Sequence, residues 1–192
     1  MSATEETAEK AAETTERSGY LLLLTGDERR TAEAALGIAL RGAGHNLRVH
    51  ISQLLNRADR QRGEVAAVSF LTGVTLSQHG KIGAVQTKAD VEGPGITEER
   101  LETALQEAAV HIHREVTNIL IMDGLLTLID EGFIDESRVL KLVNRAGAGL
   151  DIVLTGRKAS DTLIEAADTV TEMNVIKSPG SGDDAPRRGI HY

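Results

Sequence analysis

Short apolar runs alternate with longer amphipathic segments along most of this chain. Six apolar runs are present, at residues 20–25, 47–52, 73–77, 117–123, 150–155 and 169–175. Two of them, Ile119-Leu120-Ile121-Met122 and Ile152-Val153-Leu154, are continuous and do not alternate with polar residues. Continuous runs of this length are typical of strands covered on both faces, as in a parallel sheet. The pattern therefore predicts six strands in a sheet that is mostly parallel.

Helical patterns lie between these runs. The first helix is predicted over residues 31–43, where Ala34, Ala35 and Ile38 recur at helical spacing and Gly44 is a plausible stop. Further helices are predicted over 97–115, 135–145 and 159–167, opening at Thr97, at Asp135, and at Ser160 or Asp161. Strands that alternate with helices indicate a doubly wound α/β fold.

The two ends of the chain differ in composition from the middle. Residues 1–17 are rich in Glu, Thr and Ala and predict an acidic flexible tail. Residues 178–192 hold Gly, Pro and Asp and predict a mobile C-terminal tail. Residues 78–96 predict a long Gly-rich loop or an irregular hairpin. Residues 18–177 are then expected to form one α/β domain.

Composition excludes several classes of partner and chemistry. The net charge of −8 makes nucleic acid and anionic membrane surfaces poor partners. The absence of Cys excludes disulfides, thiol catalysis and zinc–thiolate sites. No run approaches 18 apolar residues, and the N-terminus lacks the apolar core of a secretory signal, so a cytoplasmic location is expected.

The histidines do not form a visible ligand set in the sequence. His111 and His113 are two residues apart on a predicted helix, so they are expected to face different sides. His45, His50, His79 and His191 are scattered along the chain.

The segment from Leu21 to Glu33 has the layout of a phosphate-binding loop: an apolar strand, a turn that opens on Gly26, and a helix. A P-loop reads G-x-x-x-x-G-K-[ST]. Counted from Gly26, the second glycine falls at Thr31, and counted from one residue earlier it falls at Arg30. Neither frame supplies the Gly-Lys-Ser/Thr sequence, so the segment keeps the layout of a P-loop but not its phosphate-binding residues.

Residues 19–192 resemble the ATP:corrinoid adenosyltransferases of the P-loop type. The match is carried by Thr25-Gly26-Asp27, by the helix that follows it, by Asp123, and above all by the run from Val153 to Met173. The resemblance implies a P-loop NTPase fold with RecA-like architecture. It also implies that MgATP and a cobalt(I) corrinoid react to give an adenosylcorrinoid and triphosphate, and that the protein is a homodimer.

Alignment of the family's loop motif with this chain shows which residues match. Thr25, Gly26 and Asp27 match it, and Arg41 matches an arginine of the family's first helix. The replacements are Glu28 and Arg30 for glycines, Arg29 for a lysine, Thr31 for the phosphate-binding lysine and Ala32 for the magnesium-binding hydroxyl. The family's Asp-Glu-Leu becomes Asp123-Gly124-Leu125, which removes one carboxylate near the metal.

Each candidate site residue has two interpretations. Arg29 and Arg30, with Thr31 and Arg41, bind phosphate, or the arginine pair is a solvated turn. Asp123 holds a metal through water, or it caps a helix. Thr155-Gly156-Arg157 lies near the nucleotide at the carboxyl end of a strand, or it is ordinary turn chemistry.

Two functions follow from the resemblance. In the first, the chain transfers adenosyl from ATP to a corrinoid weakly or not at all, because the lysine and hydroxyl of the loop are missing. In the second, it is a non-catalytic relative that acts as a corrinoid-binding or protein-interaction and regulatory subunit. ATP, Mg²⁺ and a corrinoid are the ligands that these hypotheses name.

Overall fold

A computed structural model describes residues 18–55, 63–80, 96–177 and 188–190 of the chain. These residues form six strands, all paired in parallel in the order β3-β2-β4-β5-β1-β6. The strands are β1 (Leu21–Gly26), β2 (Val49–Gln53), β3 (Val74–Gln78), β4 (Ile119–Asp123), β5 (Asp151–Thr155) and β6 (Thr169–Met173). The helices are α1 (Glu28–Gly44), α2 (Gly63–Val68), α3 (Glu98–Arg114), α4 (Leu125–Asp130), α5 (Glu136–Val143) and α6 (Asp161–Ala166).

Helices cover both faces of the sheet. Alternate strand residues such as Leu120 and Met122 pack with α3, α4, α5 and α6 in one apolar cluster. Their neighbours Ile119 and Ile121 pack with α1 and α2 in a second cluster on the opposite face. Both faces of the central strands are therefore buried, which is why their sequences are continuously apolar. The predicted doubly wound parallel α/β fold is confirmed.

All six predicted strands are present, with boundaries that differ by up to two residues. Thr97 caps α3 and Ser160 caps α6, each by accepting a hydrogen bond from a backbone N–H of the first turn. The short helices α2 and α4 were not predicted from the sequence. The predicted start of α1 at residue 31 is wrong, because the helix begins at Glu28.

Three predicted segments fall largely or wholly outside the described residues: the tail 1–17, the loop 78–96 beyond residue 80, and the tail 178–192 apart from 188–190. Within the described ranges, no helix is long and apolar enough to span a membrane.

Candidate functional site

Three loops meet where the adjacent strands β4, β5 and β1 end. Asp123 ends β4, Thr155 ends β5 and is followed by Gly156 and Arg157, and Thr25 and Gly26 end β1 and are followed by Asp27. The carboxyl ends of parallel strands are where α/β sheets bind ligands. The fold therefore brings most of the predicted site residues to one edge of the sheet.

Arg41 does not lie with them. It is exposed and sits in the last turn of α1. Thirteen residues separate it from the start of the helix at Glu28, which corresponds to about 20 Å along the helix axis. Within one chain, Arg41 is too far away to share a phosphate group with Arg29 or Arg30.

The connection between β1 and α1 is a single residue, Asp27. Gly26 ends the strand with φ of +108°, and a Cβ at this position would lie 2.3 Å from the carbonyl oxygen of Met173. The backbone N–H of Gly26 donates to Arg157 O at 2.9 Å, and that of Asp27 donates to Met173 O at 3.0 Å. Both N–H groups are thus used by the neighbouring strand ends rather than pointing at a ligand.

Asp27 is the N-cap of α1. Its Oδ1 accepts a hydrogen bond from the backbone N–H of Arg30 at 3.1 Å, and its carbonyl accepts from Thr31 N at 2.9 Å. A helix N-terminus is a site where phosphates bind, because free N–H groups and the helix dipole favour negative charge. Here the chain's own carboxylate takes that place.

The residues that replace the loop lie in the first turns of α1. Arg29 Nε is 3.2 Å from Glu33 Oε1 and Arg30 Nη1 is 2.6 Å from Glu33 Oε2, so both guanidinium groups pair with one carboxylate. Thr31 is fully buried, and its hydroxyl donates to the carbonyl of Glu28 at 3.0 Å. The interpretation of the arginine pair as a turn is wrong, because both residues lie in α1 and pair with Glu33 of the same helix.

Glu28 ties the loops after β1, β4 and β5 together. Its Oε1 accepts a hydrogen bond from the Thr127 hydroxyl at 2.6 Å and lies 3.5 Å from Arg157 Nε. The same hydroxyl accepts from the backbone N–H of Arg157 at 3.1 Å. Arg157 also forms an ion pair with Glu131. We call this set of four side chains, Glu28, Thr127, Glu131 and Arg157, the carboxylate clasp.

Asp123 is buried in a hydrogen-bond network at the end of β4. Its Oδ1 accepts from the Thr155 hydroxyl at 2.6 Å, and its Oδ2 accepts from Gln53 Nε2 at 3.2 Å. Thr155 in turn accepts from the backbone N–H of Gly124 at 2.9 Å. Gln78 Nε2 extends the network by donating to Gln53 Oε1 at 2.7 Å. Each carboxylate oxygen of Asp123 therefore already has a protein donor.

Gly124 occupies the N-cap position of α4, so the interpretation of Asp123 as the helix cap is wrong. Gly124 has φ of +90°, a left-handed conformation that side chains rarely adopt. A Cβ there would also lie 3.0 Å from Leu55 Cγ. The glutamate of the family pattern would be strained at this position. The glycine that replaces it, and removes one carboxylate, is the residue that the local backbone favours.

Sequence reasoning missed two groups of residues. Thr127 and Glu131 of the carboxylate clasp lie on and just after α4, a helix that was not predicted. His50, Glu107 and His111 converge in space, with one possible ligand atom of each within 4.8 Å of the others. The sequence did not reveal this grouping, because His50 and the two α3 residues are more than 50 positions apart along the chain. The four-residue spacing of Glu107 and His111, which places both on one helix face, is the signal that could have shown it.

Comparisons with known proteins agree with the resemblance. The model of the family described as ATP:corrinoid adenosyltransferase BtuR/CobO/CobP matches residues 17–192. A corrinoid adenosyltransferase of Pseudomonas aeruginosa is 28% identical over 184 residues, covering 96% of this chain and 89% of its own length. One of Escherichia coli K12 is 22% identical over 194 residues, covering 95% and 90%.

A solved structure supports the fold alone. The cytoplasmic domain of the Type VII secretion ATPase EccC of Thermomonospora curvata superposes with a TM-score of 0.51 at 14% identity. The match covers 89% of this chain and 22% of that one. The parallel sheet and its flanking helices are thus those of a P-loop NTPase. With a family model that matches nearly the whole length, this chain belongs to the ATP:corrinoid adenosyltransferase family.

Proposed function

We propose that this member of the family does not carry out MgATP-dependent adenosyl transfer and serves as a corrinoid-binding subunit. The observation that carries the first half is the one-residue connection between β1 and α1. In a working loop, several residues lie between strand and helix, and their N–H groups converge on the phosphate oxygens. Here the positions of the second glycine and the lysine, Arg30 and Thr31, lie within the helix.

The charges at this edge of the sheet support the same conclusion. The carboxylates of Asp27, Glu28 and Glu131 lie around the end of β1, and Arg157 is already paired with two of them. Each unit charge of a phosphate placed 4 Å from a carboxylate is repelled by about 4 kcal/mol at an effective dielectric near 20. Each charge-assisted hydrogen bond lost with the lysine removes about 1.5–3 kcal/mol of attraction. Together these terms weaken MgATP binding by several orders of magnitude.

The second half of the proposal rests on family membership. The family model matches residues 17–192, and the loop after β1 and the Asp123-Gly124-Leu125 segment depart from the family pattern in the two motifs that would hold MgATP. A protein that lost ATP chemistry and kept this frame retains the corrinoid as the ligand that the family shares. We also propose that the chain forms a homodimer, which sedimentation of the purified protein would test.

Calorimetric titrations with MgATP and, separately, with cobalamin test the proposed function. We expect cobalamin to bind and MgATP to give no heat at micromolar concentrations. An assay with chemically reduced cobalamin and MgATP should then form no adenosylcobalamin. Micromolar MgATP binding would overturn the loss of ATP chemistry, and failure to bind cobalamin would overturn the corrinoid-binding role.

A restored loop tests the structural reason. The variant carrying Glu28→Gly, Arg30→Gly, Thr31→Lys and Ala32→Thr returns both glycines, the lysine and the hydroxyl. We expect its MgATP affinity to rise above that of the wild type, and the matched variant without Thr31→Lys to gain less. If the complete restoration does not raise the affinity, the loop is not the cause of weak ATP binding.

A further inference from the structure

The face of the sheet covered by α3 contains a buried imidazole where the pattern of the fold calls for an apolar side chain. His50 lies on β2, between Val49 and Ile51, which face the opposite layer. His50 is only 3% exposed to solvent. The neighbouring strand presents Leu120 and Met122 to the same layer. A polar ring in this position is costly unless its nitrogens have partners.

Only one nitrogen of His50 has a hydrogen-bond partner among the described residues. Nδ1 lies 2.8 Å from the hydroxyl oxygen of Thr75. Nε2 has none and lies 3.4 Å from Glu107 Oε2, in a geometry that does not form a hydrogen bond. The Thr75 hydroxyl also lies 3.4 Å from Val49 O, to which it donates, so its oxygen is able to accept from Nδ1–H. In the tautomer protonated at Nδ1, the Nε2 lone pair faces the Glu107 carboxylate.

Glu107 and His111 are one turn apart on α3 and complete the cluster. The His111 ring stacks on the His50 ring, with centroids 4.0 Å apart and an angle of 16° between the planes. Glu107 Oε1 accepts from the Ser77 hydroxyl at 2.7 Å, and Oε2 lies 2.9 Å from His79 Nε2. These contacts hold the carboxylate of Glu107 beside Nε2 of His50, 3.4 Å away.

Imidazole nitrogens ligate metals through their lone pairs. Two acceptors that face each other in a buried space repel, and a cation between them removes that repulsion.

We propose that His50, Glu107 and His111 bind one divalent transition-metal ion of the zinc class. Two imidazoles and one carboxylate suit Zn²⁺ and Co²⁺ rather than Mg²⁺ or Ca²⁺, which prefer oxygen ligands. Three such protein ligands leave a fourth position for water or for His79. Thr75, on the Nδ1 of His50, takes the orienting role that a second hydrogen-bond partner has in metal sites.

Binding requires a small local rearrangement. Ligand atoms about 2.0–2.1 Å from a tetrahedral ion are roughly 3.3 Å apart. The three ligand atoms now lie within 4.8 Å of one another, so the largest separation must shrink by up to about 1.5 Å. The metal must also lie in the plane of each ring, so one of the stacked rings must turn. His111 is the one free to do so, because it is only partly buried and its contact with Thr117 is long at 3.4 Å. This site lies on β2 and α3, so it does not depend on the proposed corrinoid role.

The test uses the untagged full chain after removal of metals with a chelator, because a polyhistidine tag would bind the probe. Zn²⁺ is titrated by calorimetry, and Co²⁺ by its visible absorption, which reports imidazole ligation and coordination geometry. We expect one ion per chain. Saturation at about 100 times the dissociation constant should raise Tm by about 5–10 °C.

Single variants locate the ion. His50→Gln, Glu107→Gln and His111→Gln should each lower the affinity at least about 10-fold. The matched control is His113→Gln, an exposed histidine on the same helix, which should leave the affinity unchanged. Circular dichroism checks that each variant is folded. If the variant of the buried His50 does not fold, the variants of the partly exposed Glu107 and His111 still test the proposal. Absence of micromolar binding by the wild type, or affinity lost only in His113→Gln, would overturn the proposal.

Discussion

Replacing Thr155 by valine should destabilise the fold far more than the loss of one hydroxyl usually does. Thr155 is 1% exposed and links two groups that have no access to water. Its hydroxyl donates to Asp123 Oδ1 at 2.6 Å and accepts from the backbone N–H of Gly124 at 2.9 Å. Valine has nearly the same shape, so it leaves no cavity and removes only these two hydrogen bonds.

The expected loss of stability follows from the polar groups that Thr155→Val leaves without a hydrogen-bond partner. A hydrogen bond to a charged group contributes about 1.5–3 kcal/mol, and a buried backbone N–H left unsatisfied costs about 1–3 kcal/mol. Because Asp123 keeps its bond from Gln53, the two effects are not fully additive, and we expect a loss of about 2–5 kcal/mol. For a chain of this size that corresponds to a fall in Tm of roughly 6–15 °C.

Urea denaturation followed by circular dichroism measures the change, as a lower midpoint with an unchanged m-value. Thr31→Val is the matched control. Thr31 is equally buried, but its hydroxyl donates to a helix carbonyl and leaves no buried charge behind. This control should lose only about 0.5–1.5 kcal/mol. Equal losses in the two variants, or a loss below about 1 kcal/mol for Thr155→Val, would refute the role given to the Asp123 network.

Two further matched pairs test the helix starts in this region. Asp27→Ala should cost about 1 kcal/mol in urea denaturation because it removes the α1 cap, whereas Asp135→Ala should cost less because Asp135 makes no cap bond to α5. Equal costs would mean that the cap hydrogen bond of Asp27 is not what stabilises α1. Gly124→Ala should lower Tm more than Gly132→Ala. Both glycines have positive φ, but only at Gly124 would the added Cβ meet another side chain within 4 Å. A larger fall for Gly132→Ala would contradict this.

The sheet could be predicted from the sequence because its signal is local and strong. Runs such as Ile119 to Met122 are apolar at every position, as strands buried on both faces require, and six apolar runs alternate with helical patterns. The short helix α4 could not be predicted, because its residues Leu125 to Leu128 are almost all buried and show no amphipathic period. Its existence depends on packing between β4 and β5 rather than on its own pattern.

The candidate site was predictable in position but not in conformation. Gly26, Asp123 and Thr155 follow strands, so their meeting at one edge follows from topology. The early start of α1 depends on Asp27, which reads equally well as a loop residue or as an N-cap. Thr127, the partner of Glu28 and Arg157, is 99 residues from the first and 30 from the second in sequence, and no local pattern indicates these contacts.

The residues around the end of β1 form a capped helix N-terminus and not a phosphate-binding loop that lacks a few residues. The carboxylates of Glu28, Glu33 and Glu131 pair with the three guanidinium groups of Arg29, Arg30 and Arg157. The carboxylate of Asp27 caps the helix. A triphosphate brings several negative charges, and each of these arginines is already paired with a carboxylate. A single reversal such as Glu28→Gly frees Arg157 from one partner but keeps the cap of Asp27 and the start of α1. Under the proposed loss of ATP binding, its recovery requires the helix start and the charge balance to change together.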